Sequence, residues 1–257
     1  MSRFGNLEFD QESGGEFQPA PSARDETSQL RQARSAFENG EFEKALRGFA
    51  KVLELNPENV VAWTGQVRAL IELGEFGEAA VWADKALERF PRAPELLAAK
   101  AVALGRAGDL DEAMALSDAA MEERGDTPYL WLARADVLLA RVEDRADYCF
   151  DKALALARGD WTIAWLAARI RHYYQQFVAA MKLLQQALEW NATHFLLWLE
   201  LGHCQLALGM NAPAERSFQQ ARQLNPDCRD ARLAAARASR AGISTRLRGW
   251  WRRMFQA

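Results

Sequence analysis

Few residues in this chain can carry chemistry. Histidine occurs three times in 257 residues (His172, His194, His203) and cysteine three times (Cys149, Cys204, Cys228). An odd, scattered set of cysteines without a CxxC pair gives no disulfide framework and reads as reduced, mostly packed thiols. His203 and Cys204 are adjacent, so on a helix they point to different faces and cannot easily share a metal. There is no glycine-rich phosphate loop and no GxSxG elbow, which removes the common nucleotide-binding and hydrolase signatures. No run of 18 apolar residues exists, and MSRFGNLEFDQES lacks the apolar core of a secretion signal. The expected compartment is therefore the cytoplasm. Paired acids such as Glu122 and Glu123, or Asp109, Asp111 and Glu112, fall in predicted turns and helices where solvated charge is the ordinary reason. The reading predicts no enzyme, no catalytic residue, no metal and no cofactor.

What the chain has in quantity is alanine at regular intervals. Ala45, Ala79, Ala113, Ala146, Ala180 and Ala214 are spaced by 34, 34, 33, 34 and 34 residues. Val52, Ala86, Ala120, Ala153, Ala187 and Ala221 keep the same intervals, and Phe49, Ala83, Ser117, Phe150, Leu184 and Phe218 lie midway. Three series in phase, with Pro57, Pro91, Gly125 and Pro226 at the unit ends, define a repeat. Within the stretch 197–226, Trp198, Leu201, Gly202 and Gln205 share one helical face, and Ala214, Phe218 and Ala221 share another across a short turn. Small residues let two helix axes approach while Trp198 and Phe218 fill the space beside them. Each unit is a helical hairpin.

This spacing resembles the tetratricopeptide repeat family, whose period is a 34-residue helix-turn-helix. The resemblance implies an all-α fold, an α-solenoid of about six repeats in a right-handed superhelix, followed by a C-terminal helix. The expected domains are an acidic N-terminal segment (1–25), a solenoid (26–241) and a basic helix (242–257). The repeats are 26–59, 60–93, 94–127, 128–160, 161–194, 195–228 and a partial 229–241. Turns are predicted at Asn39-Gly40, Gly74 and Gly108, where glycine supplies a left-handed helix end. Thr127-Pro128 reads as a capped helix start. The turn at 141–145 lacks glycine and is one residue short. At 175–176 two glutamines replace the usual turn glycine, and Arg171 stands where a large apolar residue is normal, so irregular packing is expected there.

By resemblance, positions 2, 5, 6, 9, 12 and 13 of each first helix line the inner wall of the stack. These give Arg31, Arg34 and Arg68 toward the N-terminus, small apolar residues including Val102 in the middle, and Trp165, Arg169, His172, Tyr173, Glu200 and His203 toward the C-terminus. Such a wall suits a protein or peptide partner, extended or helical, with acids at one end and apolar anchors beyond. The Lys, Asn and Arg clamp by which some relatives hold chaperone tails is absent, because position 9 is Arg34 and Arg68 in the first two repeats. The predicted role is a protein-interaction scaffold, an adaptor or assembly factor. Arginine in excess of lysine, with abundant alanine, suggests a GC-rich bacterial genome.

Both ends of the chain stand apart. In RFGNLEFD, Phe4, Leu7 and Phe9 are flanked by acids; the segment reads either as a mobile tail or as a docking motif acting in cis or in trans. Residues 231–257 hold seven arginines and no acid on a chain of net charge −3. There Leu247, Trp250, Trp251, Met254 and Phe255 keep helical spacing, with Arg252 and Arg253 off the stripe. Three readings stay open for this helix. It caps the stack, it lies on an anionic membrane surface as the anchor of a peripheral inner-membrane subunit, or it docks on a protein or RNA. Nucleic acid is disfavoured, since the basic signal is confined to the tail.

Overall fold

The computed structural model describes residues 23–123 and 126–235. The described residues include α1 (Ala23–Glu38), α2 (Phe42–Leu55), α3 (Val60–Glu72), α4 (Phe76–Arg89), α5 (Pro94–Ala107), α6 (Leu110–Glu122), α7 (Pro128–Ala140), α8 (Ala146–Ala157), α9 (Trp161–Tyr173), α10 (Phe177–Trp190), α11 (Phe195–Ala207) and α12 (Asn211–Leu224), and residues 229–235 are helical as well. Helices joined by short turns pack on each other as hairpins, α1 on α2, α3 on α4, α5 on α6, α9 on α10 and α11 on α12, the architecture of an α-solenoid. The chain divides into two compact units, one ending at Ala153 and one beginning at Leu154.

The alanine ladders are the reason the hairpins close. All eighteen residues of the three periodic series are buried to 3% exposure or less. Gly202 shows how tight the approach is: a Cβ there would lie 2.5 Å from the Phe218 ring. Gly65 is its counterpart in the first unit, meeting Phe49 at 2.5 Å.

Six hairpin turns share one conformation. A left-handed residue follows the first helix of each, at Gly40, Gly74, Gly108, Val142, Gln175 and Gly209. Two of these are not glycine, so hairpin geometry overrides the local preference against positive φ. The expected irregular packing at α9 and α10 is not seen. Gln175 takes the left-handed turn at φ 59°, and Ala180, Leu184 and Ala187 are buried as in the other hairpins. Arg171 is accommodated because its guanidinium donates to the Gln176 side chain while its stem is buried. The short turn is visible: Ala146 follows Val142 by four residues where Ala113 follows Gly108 by five, and α8 begins at Ala146 itself.

Capping fixes the helix starts. Asn59, Thr127 and Asp160 accept hydrogen bonds from Ala62, Leu130 and Thr162 N–H groups. Trp63 and Trp198 each donate an indole N–H, at 2.8 Å, to the carbonyl six residues earlier, Pro57 and Ala192. Contacts about one repeat apart then tie neighbours together. Examples are Arg89 to Glu58, Arg92 to Glu123 and Arg141 to Asp111.

Candidate functional site

In the first unit, α1, α3, α5 and α7 form one layer, with α3 packed on α5 and α5 on α7. Arg68 of α3 is its centre. Its guanidinium lies 4.0 Å from the centroid of the Tyr129 ring of α7 and 5.1 Å from that of Phe37 of α1. A guanidinium between two aromatic faces is held by ring quadrupoles while its N–H groups stay available to an acceptor. Burial pushes the Tyr129 hydroxyl well above the usual phenol range, against the pull of Arg68. Arg31 and Arg34 are exposed on α1, and among the described residues neither has an ion-pair partner. Arg31, Arg34 and Arg68, on packed helices, form an arginine strip floored by two rings, with the carboxylates of Glu95, Asp136 and Glu72 also acting on Tyr129 beside it.

Beside the strip lies a buried ion pair between α5 and α7. Arg106 Nη2 donates to Asp136 Oδ2 at 2.6 Å and Arg106 Nε approaches both carboxylate oxygens at 3.1–3.2 Å. The two side chains are 6% and 2% exposed. This pair stiffens the wall and is used up internally. The small apolar middle of the predicted wall is also internal, with Val102 at 5% exposure. Val102 therefore supplies packing, not a contact surface.

In the second unit the structure brings Arg169, Glu200 and Trp165 together. Arg169 Nη1 donates to Glu200 Oε1 at 2.6 Å, joining α9 to α11, and its guanidinium sits 5.6 Å from the Trp165 ring centroid. Trp165 is fully buried and so is not presented to a ligand. His172 packs edge-on to Phe177. Desolvation pulls the His172 pKa below the ordinary imidazole value; Glu200 opposes this and Arg169 adds to it. Tyr173 is exposed against Tyr174, and exposed His203 packs edge-on to Phe218. Most of these side chains form ion-paired and aromatic contacts with neighbouring helices, and of the predicted wall residues Arg31, Arg34 and Arg68 are the arginines with no carboxylate partner among the described residues.

Phe37, Tyr129, Arg106 and Asp136 escaped the sequence reading. Counting the same inner positions along α1, α5 and α7 would have found them, since they stand at positions 12, 2, 13 and 9 of their repeats. The Phe4, Leu7 and Phe9 motif lies outside the described residues, as do Leu247, Trp250, Trp251, Arg252, Arg253 and Phe255. No helix among the described residues is long and apolar enough to cross a membrane.

Comparison with known proteins supports the same architecture. Family models described as Tetratricopeptide repeat match residues 30–94, 70–137 and 173–239. None of the curated proteins matches. Among solved structures, a thermophilic TPR protein of Thermus thermophilus is similar at 23% identity and TM-score 0.54, covering 70% of this chain and 99% of that one. A tetratricopeptide repeat protein from Parabacteroides merdae is similar at 15% identity and TM-score 0.54, covering 86% and 87%. At these identities the likeness concerns the fold.

Proposed function

The chain belongs to the tetratricopeptide repeat family, and from that premise we propose that it is an interaction scaffold whose α1–α3–α7 strip holds an acidic segment of a partner polypeptide. Repeat proteins of this kind mediate protein–protein interaction through the surface that their stacked hairpins display. The observation that carries the reading is Arg68, fixed between Phe37 and Tyr129 with the exposed Arg31 and Arg34 on the same layer. An extended acidic peptide pairs its carboxylates with the three guanidinium groups and rests apolar side chains on the two rings. An adaptor or assembly role follows from the same surface, because its free charge is presented for binding in trans.

The experiment is affinity capture with the double variant Arg31→Glu/Arg34→Glu, both sites being exposed and remote from the packing. Retention of a bound partner falls about tenfold or more, the effect of losing roughly 1.4 kcal/mol of interaction, and binding to the native chain weakens as salt rises. Capture unchanged by the double reversal overturns the reading.

A further inference from the structure

A second feature of the first unit is an open apolar pocket of about 620 Å³, whose lining includes none of Arg31, Arg34 and Arg68. Val60, Val61 and Thr64 from the start of α3 form one side; Phe90, Pro91 and Pro94 from the α4–α5 connection form the other. Val61 is a large apolar side chain left 38% exposed at this rim. The volume falls within the range of sites that accept a few apolar groups. Three helix N-termini, those of α3, α5 and α7, contribute residues to the lining and favour negative charge there. Arg92 borders it, mostly exposed although paired with Glu123, and the one acid of the rim, Glu95, accepts from the Thr127 hydroxyl.

The chain's own beginning leads to this rim. Glu26, in the first turn of α1, accepts hydrogen bonds from Asn59 at 2.7 Å and Asn56 at 3.0 Å. Asn59 caps α3, and the next residue, Val60, lines the pocket. The first turn of α1, to which the 22 preceding residues are joined, is therefore one side-chain contact from the neighbour of the pocket-lining Val60. Phe9 is fourteen Cα-to-Cα steps from Ala23, a reach of up to about 46 Å in extended form. The segment's chemistry matches the site. In Leu7-Glu8-Phe9-Asp10 apolar and acidic residues alternate, so an extended chain turns Leu7 and Phe9 to one side and both carboxylates to the other.

We propose that the N-terminal segment docks in cis on this pocket, with Leu7 and Phe9 against Val61, Phe90 and Pro94 and with Glu8 and Asp10 toward the α3 and α5 starts and Arg92. The pocket is thereby a built-in receptor for an acidic-aromatic sequence, separate from the arginine strip. It stands whether or not the strip binds a partner.

The test uses the full purified chain with a photo-crosslinking phenylalanine analogue at position 9, in a mixture of light and isotopically heavy molecules. Illumination followed by mass spectrometry gives crosslinks within one molecule to residues 60–64 and 90–94. Two variants check specificity: Val61→Asp, at a side chain already partly in solvent, and Leu7→Asp, outside the packed helices. Each lowers the crosslink yield about tenfold, since a carboxylate must then be desolvated against apolar surface. Crosslinks that join light to heavy molecules overturn the cis assignment in favour of a second copy. Crosslinks to α1 near Arg31 and Arg34, none at the pocket, or a yield indifferent to both variants, overturn the site.

Discussion

At the scale of the residue, small side chains set how closely the helices approach. Gly202→Ala places a methyl 2.5 Å from the ring of fully buried Phe218, so one of the two must shift. The substitution destabilises by about 1–3 kcal/mol, as overpacking does elsewhere. Gly77→Ala is the contrast. Nothing lies within 4 Å of a Cβ in that position of α4, so the change stabilises by about 0.5–1 kcal/mol through helix propensity. Urea denaturation followed by circular dichroism separates the two, and equal shifts would contradict the packing argument. Cys204 gives a pH test. Burial pushes its thiol up to about 12 from an ordinary value of 9.0. A raised folded pKa means the contribution is complete below pH 9 and is lost between pH 9 and 12, because the unfolded chain releases its proton first. Stability therefore falls as pH rises through that window, and Cys204→Ala removes this part of the fall.

At the scale of the element, the hairpin turn outweighs the residue that occupies it. Val142 is 89% exposed and left-handed, so it contributes strain without packing. Val142→Gly relieves about 1–2 kcal/mol of strain against about 0.5–1 kcal/mol of added backbone entropy in the unfolded chain. The expected outcome is a modest gain, roughly 0.5–1 kcal/mol, in thermal or urea unfolding; a loss would show that the turn is not held where it stands. The α5–α7 junction makes a larger prediction. Removing one partner of the Arg106–Asp136 pair, as in Asp136→Ala, destabilises by about 3–5 kcal/mol, because the remaining charge is buried. Replacing both with apolar residues of similar volume recovers most of that loss.

The same scale shows what could be read in advance. Ala45, Ala79 and Ala113 recur at one helical hairpin's length, and periodicity of that kind reports burial directly, so the helices and their pairing were legible. Arg68 was singled out by its position in the repeat, but its stacking on two rings was not legible. Its contacts, Phe37 and Tyr129, lie 31 residues before and 61 after it, and no local pattern links them. Trp165 and Val102 were assigned to the surface by position number alone. How deeply an inner position is covered depends on side chains from neighbouring repeats, which a count within one repeat does not contain. The positive φ at Val142 and Gln175 was hidden for the opposite reason: local preference argued against a conformation that the packing of two helices imposes.

At the scale of the whole molecule, the repeat array presents charge that it does not use internally. Arg106, Arg141 and Arg169 are each consumed by carboxylates of the chain itself. Arg31 and Arg34 are exposed without such a carboxylate among the described residues, and Arg68 is held on rings instead. In the proposed scaffold role that division matters, since internal ion pairs hold the packing and the remaining guanidinium groups are the ones offered to a partner. The most direct measurement is crosslinking mass spectrometry on native complexes of the unaltered chain beside the Arg31→Glu/Arg34→Glu chain, with unfolding temperatures taken on both. The account predicts partner crosslinks clustered on α1, α3 and the start of α7, lost in the double variant at unchanged unfolding temperature. Partner crosslinks that fall elsewhere on the chain, or that persist after the charge reversal, would contradict it.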